Sequence, residues 1–449
     1  MSPLERASSP TLSAGSGPTR PAPAIDDPVA SSRTRIDRAP PTLSLALALL
    51  LAGSSAVAGP RLLLSGFGTL GYAVLDDPDA EYRTGRAADG ADDSGSFEVD
   101  SRLGLQLDIE AAERFSATLQ GIAREGDEGD PEAQLEWAFL RWLPIDSVTL
   151  RAGRLALPVY ALSDYREVGY ANTLLRPPED VYSQVPFRSI DGIDASVYTE
   201  FGETLLDVQV YAGQIDRSLA LFGGVDIEVR DALGVIVAAE RGPFRLRLSH
   251  VSTRFGVDSP ALRQVHDGIV RAAPLVPVLA DLERDFAGRP ERTRFGAIGL
   301  SLDLEQVFVD AEYTRRRVDS WVPDADAWYV SVGTRIGRFT PYAFASAADS
   351  IEERRRGVDL PSIGELPLLE RAIDDAFGGA DQATQGVGLR WDFFPDVALK
   401  LQLERVSSKP NDVGISLDRG GPTEAPPSPG SGGDVVLGSV VVDFVFRSP

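Results

Sequence analysis

Hydrophobic and polar residues alternate along much of the chain. In the stretch FEVDSRLGLQLDIE, residues 97–110, apolar side chains recur at every second position over most of its length, with Glu, Asp, Arg and Gln between them. The same pattern returns in TQGVGLRWDFF, residues 384–394, and in VALKLQLE, residues 397–404. A period of two puts the two sets on opposite faces of a sheet. Runs of about ten residues also suit a tilted strand that crosses a bilayer.

The connections between these runs alternate in length. Short turns such as GET (202–204) and GR (337–338) alternate with long segments such as 255–292 and 348–383. Short turns at one end and long loops at the other are typical of a bacterial outer-membrane barrel. The predicted strands are 62–75, 97–110, 115–124, 133–143, 147–156, 188–201, 204–213, 226–239, 243–254, 293–304, 306–316, 327–337, 339–347, 384–394, 396–406 and 434–446. We therefore predict an all-β fold, a closed antiparallel transmembrane barrel of about 16 strands with an aqueous interior.

The first sixty residues have a different composition. Residues 1–41 are rich in Pro, Ser, Ala and Thr without apolar periodicity, which predicts a disordered N-terminal extension. Three arginines then precede the apolar run TLSLALALLLAG (42–53), and SSAVAG follows with an A-x-A pattern before Gly59. This layout predicts the core and cleavage region of a secretory signal peptide at 42–58, with the barrel at 59–449. The apolar run is too short for a spanning helix.

Composition excludes several classes of function. The chain has no cysteine and two histidines, which leaves no thiolate metal site and no cysteine nucleophile. His250 and His266 have no metalloprotease spacing. A formal net charge of −23 argues against nucleic acid, since phosphates bind Lys and Arg. We expect no catalysis, no cofactor and no bound metal.

Taken together, these features resemble the Gram-negative outer-membrane porin family over residues 59–449. The final strand VVLGSVVVDFVF (435–446) places Val440, Val442, Phe444 and Phe446 on one face, as in the terminal insertion signal of that family, although three residues follow the last aromatic. The resemblance implies an outer-membrane location, a homotrimer, and passive diffusion of small hydrophilic solutes or ions. A substrate-specific channel is the alternative, and a non-conducting barrel adhesin or an enzyme is a third.

One long segment shows no alternation of apolar and polar residues. SDYREVGYANTLLRPPEDVYSQVPF, from Ser163 to Phe187, follows the fifth predicted strand and combines tyrosines with charges of both signs. A porin resemblance implies that the loop at 158–187 folds into the lumen and narrows it, while an exposed external loop is the other interpretation. Long irregular segments are commonly functional or disordered, and aromatics favour a packed site. The predicted constriction residues are Tyr160, Asp164, Tyr165, Arg166, Glu167, Tyr170, Arg176, Glu179, Asp180 and Tyr182.

Alternation also predicts which charges face the lumen. The predicted wall cations are Arg102, Arg151, Arg245, Arg247, Arg335, Arg390 and Lys400. Carboxylates on the loop opposite these cations would create a transverse field that admits small polar solutes. The simpler hypothesis is that such charges only solvate a wet interior.

The remaining loops predict two further features. Apolar residues at helical spacing predict short helices near 260–273 and 366–377. The basic triplets Arg315–Arg317 and Arg354–Arg356 are candidates to bind lipopolysaccharide phosphates in the surrounding outer-membrane lipid, with a solvated charge run as the alternative.

Overall fold

The structure, a computed structural model, describes residues 60–84, 90–126, 131–219, 225–320, 322–351, 360–361, 364, 366–376, 381–408, 417–418 and 433–448. Sixteen strands form one closed barrel, in which each strand is antiparallel to both neighbours. They are β1 (Arg61–Leu75), β2 (Arg102–Ala112), β3 (Phe115–Glu125), β4 (Pro131–Ile145), β5 (Val148–Ala156), β6 (Ser189–Phe201), β7 (Thr204–Leu219), β8 (Val225–Arg241), β9 (Phe244–Asp258), β10 (Glu291–Asp303), β11 (Val307–Val318), β12 (Asp324–Thr334), β13 (Phe339–Ile351), β14 (Gln382–Phe394), β15 (Val397–Ser408) and β16 (Gly433–Arg447).

The barrel closes where the first strand meets the last. β1 pairs with β16 in a register that sets Thr69 opposite Asp443 and Gly66 opposite Phe446. Closure gives every strand two hydrogen-bonded neighbours, so no edge is left unpaired. The sequence prediction of a closed antiparallel barrel with 16 strands is therefore confirmed.

Short and long connections lie at opposite ends of this barrel. Tight turns join β2 to β3, β4 to β5, β6 to β7 and each later pair in the same phase, whereas the other connections are the longer ones. Gly242, in the turn between β8 and β9, has a φ of 56°, a left-handed conformation that glycine adopts at little cost. The predicted alternation of short turns and long loops is therefore confirmed.

Some predicted strand boundaries were wrong. β2 begins at Arg102 and not near residue 97, because residues 97–101 make tertiary contacts and do not pair with a neighbouring strand. Asp100 binds Arg176, and the Ser101 hydroxyl accepts a hydrogen bond of 3.0 Å from the Gly71 backbone N–H. β12 ends at Thr334, because Ile336 and Phe339 exchange backbone hydrogen bonds that form the following turn.

The described helices lie in the long connections. They are α1 (Glu179–Tyr182), α2 (Pro260–Ala272) and α3 (Leu366–Ala376), with 3₁₀ turns at Gly169–Ala171 and Pro277–Asp281. Ser259 caps α2 by accepting a hydrogen bond from the Leu262 backbone N–H, and Pro260 occupies the first turn. α2 and α3 share an apolar cluster that includes Ile269 and Ile373, so both predicted helices form and pack together. Within the described part of the chain, no helix is long and apolar enough to cross a membrane.

The first long loop also packs into the barrel. Tyr82 and Val99 lie in one buried cluster with Leu437 and Val406, whose side chains belong to β16 and β15. A two-residue ladder joins Glu81–Tyr82 to Leu417–Asp418. The predicted extension at 1–41, the signal region at 42–58 and the triplet Arg354–Arg356 lie outside the described residues.

Candidate functional site

The segment between β5 and β6, residues 157–188, crosses the inside of the barrel and is called the inner loop below. Its two ends are joined, because the Leu157 backbone N–H donates to the Arg188 carbonyl at 2.8 Å. Arg247 of β9 donates to the Pro158 carbonyl at 2.6 Å, and Lys400 of β15 donates to the Gly169 carbonyl at 2.7 Å. Strands that are far apart around the wall thus bind one loop, which requires the loop to lie inside.

Two tyrosines hold the loop against the wall. Tyr160 and Tyr182 are buried, with ring centroids 4.6 Å apart, and they pack on Phe295 and Tyr329 of β10 and β12. The Tyr182 hydroxyl donates to Oε2 of Glu312 at 2.7 Å. These two rings hold the inner loop in place. Any binding of solutes along the lumen would therefore have to use other side chains. Of the predicted loop tyrosines, Tyr165 is exposed and Tyr170 is partly buried.

Arg176 is a second anchor and is nearly inaccessible to water. Its guanidinium makes two hydrogen bonds to Asp100, of 3.0 and 2.6 Å, and forms an ion pair with Glu404 of β15. It also donates to the Ser439 hydroxyl at 2.7 Å and lies over the Tyr82 ring. A buried guanidinium needs such complete pairing, since an unpaired buried charge is strongly destabilising.

Glu167 is the centre of an arginine cluster. Its carboxylate forms ion pairs with Arg188 and, at 3.2 Å, with Arg124 of β3, while Arg102 of β2 donates to the Glu167 carbonyl at 2.9 Å. Burial would raise the pKa of Glu167, but the guanidinium groups of Arg188, Arg124, Arg102 and Arg166 outweigh burial and hold that pKa far below its usual range. Glu167 is therefore a fixed negative charge.

Two adjacent carboxylates begin α1. Asp180 is fully buried and accepts hydrogen bonds from the Ser346 hydroxyl at 2.5 Å and from the Gln382 amide at 2.7 Å. Burial raises the pKa of Asp180 to about 6, against the opposing effect of these hydrogen bonds. Burial also raises the pKa of its neighbour Glu179, whose Oε2 has no hydrogen-bond partner among the described residues.

Several wall cations bind the inner loop. Arg390 of β14 donates to the carbonyls of Tyr170 and Asn172 at 2.7 and 3.0 Å, and its guanidinium lies 4.8 Å from the centre of the Tyr170 ring. Lys400 pairs with Asp443 of β16 at 2.9 Å, with both side chains fully buried. These predicted wall residues thus hold the loop in place and do not face open water.

The wall also carries carboxylates that the sequence analysis did not include. Arg151 of β5 makes a bidentate pair with Asp194, its register partner on β6. Glu312, Glu404, Asp207 and Asp443 point inward by the same alternation. The interior is consequently a mixture of both signs. The sequence could have predicted these inward carboxylates, because Glu404 lies on the same alternating face of β15 as Lys400.

Arg335 lies apart from the inner loop. It follows the last residue of β12 and pairs with Asp303 at 2.7 Å, at the end of the barrel that carries the short turns. It also donates to the Glu305 carbonyl at 2.7 Å. The structure therefore does not bring it together with the other predicted site residues.

Asp164 and Arg245 present charge to open space. Among the four predicted loop carboxylates, Asp164 alone is exposed, and Arg245 and Arg335 are the exposed cations of the predicted wall set. The charge of Asp164 acts on Arg151, Asp207 and Arg247 across this space. Neither Asp164 nor Arg245 has an ion-pair partner among the described residues. Unpaired charges of opposite sign therefore face the same part of the lumen.

Two spaces adjoin the inner loop on the side of β3 and β4. One lies next to Arg102, Arg124 and Gln134, and the other lies next to Asp164, Tyr165 and Trp137. Glu167 and Arg188 line both spaces, so the arginine cluster stands between them. No group of three or more His, Cys, Asp or Glu side chains among the described residues is arranged to hold a metal ion.

A closed antiparallel barrel of sixteen strands with a long loop inside is the architecture of outer-membrane porins. The outer membrane channel DcaP of Acinetobacter baumannii superposes with a TM-score of 0.53 at 10% sequence identity, over 88% of this chain and 99% of that one. Salmonella typhi OmpF, in complex with daunomycin, gives a TM-score of 0.51 at 12% identity, over 86% of this chain and 98% of that one. At such identities the likeness establishes the fold. No protein-family model and no curated protein sequence matches the chain.

Proposed function

We propose that the protein is a passive, water-filled channel in a bacterial outer membrane, through which small hydrophilic solutes and ions diffuse. The observation that carries this proposal is the charge of Asp164 and Arg245 beside the inner loop, since both side chains are exposed and neither has an ion-pair partner in the described part of the chain. Charges without partners are stable only in water, so this part of the lumen is hydrated. An aqueous interior beside a narrowing loop provides a selective path.

The outer surface supports the membrane location. Outward side chains on the wall include Leu62, Leu246, Ile298 and Val332, all of which are exposed. Exposed apolar rows on a closed barrel have no role in water and suit contact with acyl chains. Export to the outer membrane would use the signal region predicted at 42–58. We also propose a homotrimer, the assembly that the porin resemblance implies.

Planar-bilayer recording tests the channel directly. Purified, refolded protein should produce stepwise conductance increases whose size scales with the conductivity of the salt solution. Folding should be checked in the same preparation by the heat-modifiable gel mobility that closed barrels show. Folded protein that inserts without any conductance step would contradict the proposal and favour a non-conducting adhesin.

A substrate-specific channel is the second candidate, and one observation favours it. The space beside Asp164 is lined by Phe67, Trp137 and Tyr165 together with Arg166, so it combines aromatic faces with both signs of charge. Such a lining suits a small solute with an apolar part and a charged group. Saturable block of the ion current by one solute, weakened by Trp137→Ala, would support this candidate.

A further inference from the structure

Arginines form a row on the outer surface of four neighbouring strands, near the long-loop end of the barrel. The row, called the outward arginine row below, consists of Arg230 on β8, Arg254 on β9, Arg292 and Arg294 on β10, and Arg315 and Arg317 on β11, flanked by acidic residues of β12. Arg292 and Arg294 alternate with Thr293 and Phe295, which are buried inside the barrel. The arginine side chains therefore point to the outside.

The row begins where the apolar wall ends. On β11 and β12 the outward residues Tyr313 and Trp328 are register partners, and the Tyr313 hydroxyl donates to Asp326 at 2.8 Å. The next outward pair beyond them is Arg315 with Asp326. Aromatic side chains of this kind mark the level of lipid headgroups on membrane barrels. The arginines therefore lie at or just beyond that level.

Register places like charges directly opposite one another. Arg230 is the partner of Arg254, Arg254 is the partner of Arg292, and Arg294 is the partner of Arg317. Directly opposed like charges destabilise a sheet. Three such pairs on consecutive strands point to an anionic ligand that bridges them.

The protein's own carboxylates neutralise only part of the row. Arg315 pairs with Asp326 at 2.6 Å, Arg317 with Asp324 and Asp326, Arg254 with Asp231, and Arg230 with Glu228. Arg292 and Arg294 are exposed and form no ion pair with any described residue. Two guanidinium groups thus remain available at the centre of the row, in a chain whose net charge is −23.

We propose that the outward arginine row binds the phosphate groups of lipopolysaccharide in the outer leaflet. Guanidinium groups make bidentate hydrogen bonds to phosphate oxygens, and several phosphates on one lipid would bridge the opposed arginines. The middle residue of the basic triplet does not take part, because Arg316 points inward and donates to the Gln184 carbonyl of the inner loop at 2.8 Å. This inference rests on the proposed outer-membrane location.

Lipid binding by the purified barrel tests the site. The variant with Arg292→Gln and Arg294→Gln should bind lipopolysaccharide at least tenfold more weakly than the natural chain, measured by native mass spectrometry or by titration in detergent. The control replaces Arg241 and Arg263, two exposed arginines outside the row that pair with Glu203 and Asp258, by Gln. It changes net charge by the same amount and should bind normally.

Dephosphorylated lipopolysaccharide and inorganic phosphate are the further probes. Loss of the lipid phosphates should abolish the difference between the two double variants, and millimolar inorganic phosphate should not replace the lipid. Equal affinity of the two double variants for intact lipid, or displacement of the lipid by inorganic phosphate alone, would overturn the site. Conductance of the natural chain is recorded separately, so that failure of the channel proposal is distinguishable from failure of this one.

Discussion

Asp164 and Glu167 lie three residues apart in the inner loop and have opposite environments. Glu167 is buried among Arg188, Arg124 and Arg102, whereas Asp164 is exposed and has no ion-pair partner among the described residues. A buried, paired charge contributes to the structure, while an exposed charge in a narrow aqueous space acts on passing ions. We therefore propose Asp164, and not all four loop carboxylates, as the residue that carries the predicted filter function.

Replacing Asp164 by Asn should shift ion selectivity towards anions. The variant removes a negative charge that faces Arg151, Arg247 and Asp207, so the remaining field at this level is more positive. The reversal potential in a KCl gradient measures the change, which we expect to be largest at low salt. Asp146→Asn, in the turn between β4 and β5, is the control and should change little. An equal shift in both variants would rule out this role for Asp164.

Asp180 should make stability depend on pH. Because burial raises its folded pKa to about 6, above the ordinary value of 3.8, the folded state binds this proton more tightly than the unfolded state. The contribution of Asp180 to the free energy of unfolding is therefore fully present below pH 3.8, and it is lost as the pH rises to about 6. Over this pH range the free energy of unfolding should fall by ~3 kcal/mol.

Asp180→Asn tests this linkage by comparing denaturant midpoints of folded protein between pH 4 and 8. Asn keeps an acceptor for one of the two hydrogen bonds, and the Ser346 hydroxyl can rotate to accept from the amide. The variant should match the natural chain at pH 4 and exceed it in stability at pH 8. A difference that does not change with pH would refute the predicted titration.

At the scale of elements, the strand pattern was predictable and the loop contacts were not. Alternation is a local property, so all sixteen strands were found and most boundaries agree within a few residues. The start of β2 was missed because Asp100 pairs with Arg176, which lies 76 residues further along the chain. Such a partner leaves no trace in the periodicity of either segment.

A designed disulfide tests the position of the inner loop. The Cβ of Ala161 lies 3.1 Å from the point where a Cβ on Gly299 of β10 would be, and the natural chain contains no cysteine. Ala161→Cys with Gly299→Cys should crosslink on mild oxidation, since the two Cβ atoms need to move apart by only about 0.4 Å to reach the separation of about 3.5–4.5 Å found in disulfides. Gel mobility after oxidation, with and without reductant, reports the bond.

The matched control for this crosslink is Ala161→Cys with Gly202→Cys. Gly202 lies in the tight turn between β6 and β7, where a Cβ would meet no atom within 4 Å. This pair should stay reduced in the folded barrel. If the first pair failed to crosslink in folded protein, the loop would not lie against β10.

At the scale of the whole molecule, one buried ion pair joins barrel closure to loop position. Lys400 of β15 and Asp443 of β16 are fully buried, 2.9 Å apart, and the Thr69 hydroxyl of β1 donates to Asp443 at 2.6 Å. Lys400 also donates to the Gly169 and Leu174 carbonyls of the inner loop. The Lys400–Asp443 ion pair therefore contacts both the closure of the barrel, through β1 and β16, and the inner loop.

Lys400→Met should destabilise the folded barrel by about 3–5 kcal/mol, because Asp443 is left as an uncompensated buried charge. The denaturant midpoint of protein folded in lipid vesicles measures the loss. Adding Asp443→Leu removes both charges and should recover much of the stability. A single variant as stable as the natural chain would mean that this pair does not hold the seam.

The sequence by itself determined the sixteen strands, their inward and outward faces and the alternation of turns and loops. These features depend on neighbouring residues, through the period of two and the chemistry of turns. The sequence also singled out SDYREVGYANTLLRPPEDVYSQVPF as different from the strands around it.

The tertiary structure alone decided which of its charges are free. Arg176 and Glu167 are paired with residues on distant strands, and Asp164 is left in open space, because the curvature of the closed barrel sets which walls face the loop. The opposed arginines on the outer surface likewise depend on cross-strand register. Charges that look alike in the sequence therefore differ in role, since burial and pairing are set by residues far away in the chain.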